Sequence, residues 1–201
     1  MIIYFSGGKD SLAVLHMFKD DPSLECAFFG DTGDVYPHMM EFVISTCKKY
    51  QVPLEIIKAE MSQEKYHAEL GYPSDMVPIV RSPDAKSTTK NGGKQRLQSY
   101  LQCCANMCWF PMQKRSLGKV VYRGIKKCDE HGTDVVNGFT NPISGIQYIN
   151  PIYDWTDDKV FDYLKKNNVE TARHYKQVNV SLDCVHCTAF THSPSAVDRL
   201  Q

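Results

Sequence analysis

Ser6-Gly7-Gly8-Lys9-Asp10-Ser11 joins a short apolar run, Ile2 to Phe5, to a stretch with helical apolar spacing through Leu12, Leu15, Met17 and Phe18. Glycines at a strand-to-helix junction let the backbone turn tightly, and the N–H groups at a helix start lack partners and bind phosphate oxygens. Lys9 adds a point charge; Ser6 and Ser11 add hydroxyls. The hexapeptide is neither a Walker loop nor G-x-G-x-x-G, and its ordinary alternative is a capped turn without a ligand. Read as a phosphate site, it gives Lys9 and Asp10 catalytic roles and calls for Mg²⁺, because N–H groups together with a cation stabilise clustered phosphate charge.

Eight cysteines form the second set of reactive groups. Disulfides are rare in reducing compartments, so metal binding or thiol chemistry explains that number better. Cys103 and Cys104 are adjacent, and Cys184 and Cys187 form C-x-x-C 80 residues after Cys104. Four soft thiolates hold zinc or an iron-sulfur cluster, although any single buried cysteine also serves as a small hydrophobe. Cys26 and Cys47 lie on apolar stripes and read as core. Cys108 follows Cys104 by about one helical turn. Cys128 adjoins Lys126 and Lys127, whose charge favours a thiolate, so it is the candidate nucleophile. His186, inside the C-x-x-C, reads as support for a ligand and not as one.

A third set is anion-binding. Arg123-Gly124-Ile125-Lys126-Lys127 follows an apolar run, Val120 to Tyr122, and would emerge at the C-terminal edge of a sheet, where open α/β folds bind ligands. Gly124, Lys126 and Lys127 are therefore candidates to bind an anionic ligand; a solvated lysine pair is the plain alternative. The chain has 23 basic and 23 acidic residues, yet Arg81 to Lys127 holds 11 of the bases and one acid, Asp84. Such a stretch attracts an anionic partner. Arg81, Lys86, Lys90, Lys94 and Arg96 suit a nucleotide lid. Contact with a nucleic-acid backbone, with Tyr100 and Trp109 stacking on bases, is the less favoured use, since no nucleic-acid-binding motif is present.

The elements that must position these groups alternate. Leu24 to Phe29 and Val52 to Ile57 read as further strands, separated by a helix bearing Tyr36, Met39, Met40, Val43 and Cys47. Polar Arg81 to Gln95 reads as a mobile loop, and Gln98 to Leu117 as a helix limited by Pro111. Gln147 to Ile152 reads as a fifth strand. Thr156 reads as an N-cap ahead of Asp157 and Asp158, with Val160, Phe161 and Leu164 facing inward. The 201 residues suit one domain, residues 1–201, with an open, mostly parallel twisted sheet flanked by helices. No apolar run reaches the ~18 residues of a membrane span, and Met1 to Phe5 lacks the features of a signal peptide, so a cytoplasmic location is the default.

These motifs resemble the adenine nucleotide alpha hydrolase, or PP-loop, superfamily. Ser6 to Ser11 looks like its PP-loop, and Gly30-Asp31-Thr32-Gly33 resembles the acidic turn along which that superfamily's adenine lies. Asn150-Pro151-Ile152-Tyr153-Asp154-Trp155-Thr156, with Ser181-Leu182-Asp183-Cys184 later, is similar to the C-terminal half of PAPS and APS reductases and of related DNA phosphorothioation sulfur-transfer enzymes. The resemblance implies a Rossmann-like fold, nucleotide contacts from Ser6, Gly7, Gly8, Lys9, Asp10, Ser11, Gly30, Asp31, Thr32 and Gly33, and a turn at Gly124 that meets sulfate or phosphate. There the lysines replace the usual arginines, weakening planar recognition of sulfate. It further implies a 4Fe-4S cluster on Cys103, Cys104, Cys184 and Cys187, in an iron-sulfur-bearing C-terminal segment.

Three activities follow as expectations. The favoured one is ATP-dependent sulfur transfer, in which cleavage of the α–β phosphate bond adenylates an acceptor. An intact PP-loop suits β and γ phosphates, and no cysteine follows Cys187 to serve as the reductases' nucleophile. The second is a sulfonucleotide reductase that releases sulfite from APS or PAPS. The third is a nucleotide-binding cluster subunit without turnover. The first two imply a sulfur- or electron-donor protein as partner.

Overall fold

Ile2 and Ile3 are wholly buried because their strand, β1 (Ile2–Tyr4), has a neighbour on each side. It pairs in parallel with β2 (Cys26–Asp31) and with β7 (Val120–Tyr122), and β7 pairs in parallel with β8 (Gln147–Ile149). With β3 (Leu54–Lys58) outermost, the order is β3-β2-β1-β7-β8. This is an α/β fold with a mostly parallel five-stranded sheet flanked by helices. The structure is a computed structural model describing residues 1–77, 89–90, 96–129, 140–177, 181–182 and 184–189. Two compact units divide the chain: residues 1–29, 37–57 and 112–181 in one, residues 30–36, 58–111 and 182–201 in the other.

In the first unit, α1 (Lys9–Phe18) buries Leu12, Ala13, Val14 and Leu15, each contributing about 1.5–3 kcal/mol if large and fully covered. Met17, assigned to that face from its spacing, sits in the last turn and is partly exposed at 38%. α2 (Pro37–Tyr50) buries Met39, Val43 and Cys47 as the periodicity predicts. α6 (Asp157–Lys166) starts as expected: the Thr156 side chain accepts a hydrogen bond from Lys159 N, and Val160 and Leu164 turn inward. It meets α1 where His16 Nδ1 and Tyr163 Oη are hydrogen-bonded at 2.9 Å.

The second unit holds elements that sequence pattern does not reveal. α3 (Gln63–Leu70) is capped by Ser62, and β4 (Tyr72–Ser74), β5 (Thr89–Lys90) and β6 (Arg96–Ser99) form a small sheet in the order β4-β6-β5. Thr89–Lys90 is thus a strand within the stretch expected to be loop, and Gln98 and Ser99 are strand where helix was expected. The helix begins at α4 (Tyr100–Cys104), passes through a π-helical turn at Ala105–Trp109, and resumes as α5 (Phe110–Arg115). Pro111 explains the wide turn: it has no N–H to give and its ring crowds the carbonyl four residues back, so Phe110 N reaches five residues to Ala105 O. Arg81, Lys86, Lys94 and Asp183 lie outside the described residues.

Candidate functional site

The first unit brings the Ser6–Ser11 loop and the Arg123–Lys127 turn together. Gly7 has φ +81°, a conformation that glycine adopts without strain, and Gly8 precedes α1 with extended backbone. Gly8 N donates to Ser6 Oγ at 3.3 Å and Lys9 N donates to Tyr175 Oη at 3.0 Å. The Ser11 hydroxyl donates to Gly8 O and accepts from Ser6 N. Two loop amides thus rest on neutral hydroxyls, which a phosphate oxygen can replace as a stronger, charged acceptor. Tyr175 Oη is also hydrogen-bonded to Ser181 Oγ at 3.0 Å.

Gly124 is required by close approach. A Cβ there would stand 2.5 Å from Asp10 C and from Ser11 N, so the turn after β7 lies directly against the start of α1. That contact delivers Lys126, whose side chain is 1% exposed. Its Nζ donates to Asp10 Oδ1 at 2.8 Å and to Asp129 Oδ2 at 3.0 Å, and lies 3.2 Å from Asp157 Oδ1. Lys9 Nζ meets Asp10 Oδ2 at 2.8 Å and Asp157 Oδ1 at 3.0 Å. Two ammonium groups therefore sit among three carboxylates.

Burial is the largest influence on both lysines and opposes their charge, but the hydrogen bonds they donate to Asp10, then that of Lys9 to Asp157 and that of Lys126 to Asp129, overcome it and raise both pKa values. Burial likewise works against the Asp157 carboxylate; hydrogen bonds and attraction from Lys9 and Lys126 nevertheless hold its pKa below the ordinary value. Sequence spacing identified Asp157 only as a helix-capping acid. It gave no signal for Tyr175, whose hydroxyl meets Lys9 N across 166 residues, or for Asp129, which meets Lys126 three residues earlier in the chain. Lys127 is exposed and is absent from these ion pairs. The exposed Cys128 thiol donates to Asp129 Oδ1 at 3.9 Å, so its observed partner is a carboxylate and not the neighbouring lysines.

The second unit joins the Gly30–Gly33 turn to the C-x-x-C. Gly33 adopts φ +82°, and its N donates to Asp31 Oδ1. Thr32 Oγ1 lies 3.2 Å from Cys184 Sγ. Val185 N donates to Asp34 O, His186 N donates to Asp34 Oδ2, and His186 Nδ1 lies 2.7 Å from Asp34 Oδ1. His186 thus anchors to Asp34 the turn that carries the two cysteines. Cys187 N donates to Cys184 O, closing the turn.

Cys103 is buried beside Tyr66 and Met107, and its thiol is pushed up to about 12, first by burial and then by Cys184 and Cys187. Cys108 is pushed up to about 11 by burial and then by Cys184. Cys104 acts electrostatically on Tyr66 and Tyr100. Trp109 is 44% exposed and Tyr100 is half-buried. Among the described residues, no three His, Cys, Asp or Glu side chains are gathered as ligands of one metal ion. Cys103 senses both Cys184 and Cys187, and such a soft donor set, drawn from α4 and the Cys184–Cys187 turn, fits a group that takes thiolates. A cluster of several metal atoms also holds its ligands farther apart than a single ion does. Among the same residues, no helix is long and apolar enough to cross a membrane.

This mostly parallel sheet flanked by helices, with a glycine-rich loop between β1 and α1, defines an α/β fold, and comparison places it more closely. Residues 1–190 match the phosphoadenosine phosphosulfate reductase domain, and the chain belongs to that family of enzymes. It is 26% identical to a phosphoadenosine 5'-phosphosulfate reductase of Buchnera aphidicola subsp. Acyrthosiphon pisum, over 98% of this chain and 73% of that protein. The fold is similar to the crystal structure of PAPS reductase from Candida auris in a phosphate complex, with TM-score 0.61, 20% identity, and 92% and 82% of the two chains covered. It is also similar to Candida glabrata FMN adenylyltransferase in complex with ATP, with TM-score 0.54, 15% identity, and 91% and 52% covered.

Proposed function

We propose that the protein binds ATP with Mg²⁺, cleaves the α–β phosphate bond to adenylate an acceptor for sulfur transfer, and carries a 4Fe-4S cluster on Cys103, Cys104, Cys184 and Cys187. The observation behind the nucleotide choice is the charge of the phosphate site. Lys9 and Lys126 are already matched by Asp10, Asp129 and Asp157. A triphosphate entering among surplus carboxylates requires a further cation, for which Mg²⁺, a hard ion that takes oxygen ligands, is suited. Asp10 and Asp157 would hold it, and it would neutralise charge on the phosphates.

The remaining work falls to the chain. The amides of Gly8 and Lys9 orient phosphate oxygens at the start of α1, while Lys9 and Lys126 supply positive charge as the pyrophosphate departs. An acceptor oxygen bonds to the α-phosphorus as the bond to the bridging oxygen breaks, and pyrophosphate leaves with that electron pair. A sulfur nucleophile from a donor protein then displaces AMP from the activated acceptor. The four cysteines would supply thiolates to the cluster, whose chemistry is to hold or pass electrons or sulfur.

A second reading, release of sulfite from APS or PAPS, is favoured by the name of the Buchnera relative and by the exposed Cys128 next to Asp129 of the phosphate cluster. Anaerobically reconstituted protein incubated in parallel with ATP, APS and PAPS separates the two. Magnesium-dependent ATP binding, with pyrophosphate and AMP released once the acceptor is present, supports the first. Thioredoxin-dependent sulfite production, lost in Cys128→Ser, overturns it in favour of the second.

A further inference from the structure

His67 of α3 and Cys103 of α4 stand 36 residues apart in sequence, yet Cys103 Sγ lies 3.6 Å from His67 Nε2. Each residue is only 7% exposed. The surroundings exclude water on several sides: Tyr66 and Met107 pack with Cys103, Ala59, Met61 and Leu70 border that cluster, and the Tyr72 ring stands 5.1 Å from the imidazole, centroid to centroid. A side chain that needed only apolar volume would leave no polar atom aimed at the sulfur. The contact is within hydrogen-bond range for sulfur.

We infer that His67 donates an Nε2–H···Sγ hydrogen bond to Cys103 as a cluster thiolate and so raises the reduction potential of the cluster. The inference rests on the 4Fe-4S reading proposed above. A thiolate sulfur accepts only, and Nε2 carries a hydrogen in the imidazolium and in one neutral tautomer, so the pairing needs no particular charge on the ring. Donation to a ligand sulfur withdraws electron density and favours the reduced, more negative cluster, and hydrogen bonds to sulfur are among the principal controls of such potentials. Exclusion of water strengthens the effect. His67 is thus a positioning and tuning residue that acts through Cys103.

The test uses the full chain, reconstituted anaerobically with iron and sulfide, with His67→Phe removing the donor at similar volume and His67→Gln retaining an N–H donor. Iron content is measured first, then the midpoint potential by redox titration followed by electron paramagnetic resonance. The expected result is a more negative midpoint in His67→Phe and a return toward the wild-type value in His67→Gln. An iron-loaded Phe variant with an unchanged midpoint overturns the inference. Wild-type protein with ¹⁵N-labelled histidine provides a reading independent of variant folding: a weak nitrogen coupling to the reduced cluster supports the bond, and none overturns it. Failure of the cluster reading is distinct, since the wild-type protein would then take up zinc or no iron at all.

Discussion

Lys126 Nζ sits 2.8 Å from Asp10 Oδ1, although 116 residues separate the two. The contact exists because Gly124 lets the turn after β7 lie on the backbone of Asp10 and Ser11. The Ser6–Ser11 loop and the Arg123–Lys127 turn are therefore one unit: a change that lifts the turn withdraws the ammonium from the loop.

That coupling makes Gly124→Ala a severe change. The added carbon would meet backbone atoms at 2.5 Å, and neither strand nor helix start can yield as a flexible side chain would. A loss of about 1–3 kcal/mol is expected from urea unfolding, as for overpacking in general, accompanied by weaker nucleotide binding. Unaltered stability and affinity would contradict the close approach.

Gly8→Val separates ligand binding from folding. Gly8 has φ −69° and ψ 157°, which any residue adopts, so the backbone tolerates the substitution. Its first side-chain carbon would, however, stand 3.1 Å from Ser181 Oγ and 3.4 Å from Ser6 Oγ, crowding the hydroxyls around the loop amides. ATP affinity should fall at least tenfold, about 1.4 kcal/mol, with the circular dichroism spectrum preserved. A folded variant that binds as well as the parent would remove the loop from the nucleotide site.

Lys126→Met tests the charge cluster. Removing one partner of a buried pair costs about 3–5 kcal/mol, and here less, because Asp129 and Asp157 reach solvent and can regain hydration. The variant should be destabilised, and the further replacement Asp129→Asn should recover part of the loss by relieving carboxylate repulsion. Equal losses in single and double variants would show that Asp129 is not coupled to Lys126.

Iron loading of single-cysteine variants tests the ligand set. Cys103→Ala, Cys104→Ala, Cys184→Ala and Cys187→Ala should each lower iron content after anaerobic reconstitution, whereas Cys108→Ala should load like the parent. Cys108 is the informative control because it shares electrostatic contact with Cys184. Loss of iron in Cys108→Ala with retention in Cys104→Ala would move the fourth ligand one turn along the helix.

The sequence made the site partly legible for a physical reason. The β1-loop-α1 segment and the Thr156 cap are local patterns, set by period, glycine and capping chemistry within a few residues of one another. Asp129, Tyr175 and His67 act only through neighbours 36 to 166 residues from their nearest groups or through a turn that tertiary contact fixes, and no spacing announces that. The small sheet was hidden by brevity: Tyr72–Ser74 contains a proline, and Gln98 in β6 is buried because its amide donates to Gly71 O and accepts from Tyr66 Oη, a polar residue satisfied by the fold. Gln98 therefore looks like a helix surface position in the sequence and is a strand core position in the structure.

His174 gives a pH dependence whose sign follows from its surroundings. It is 7% exposed, and among the described residues neither ring nitrogen has a hydrogen-bond partner. Burial, and then the nearby His38, lowers its pKa from the ordinary 6.5; Arg173 acts in the same direction on His38, and Glu41 opposes it. The unfolded chain therefore takes up a proton at a pH where the folded chain does not. Stability is greatest above about 6.5, declines as pH falls through that value, and stops declining on this account below the lower folded pKa. His174→Leu should flatten the dependence of the urea midpoint on pH between about 7 and 5, and should raise stability at neutral pH because two buried polar atoms without partners cost about 1–3 kcal/mol each. A variant with the parent's full slope would show that His174 titrates as it does in the unfolded chain.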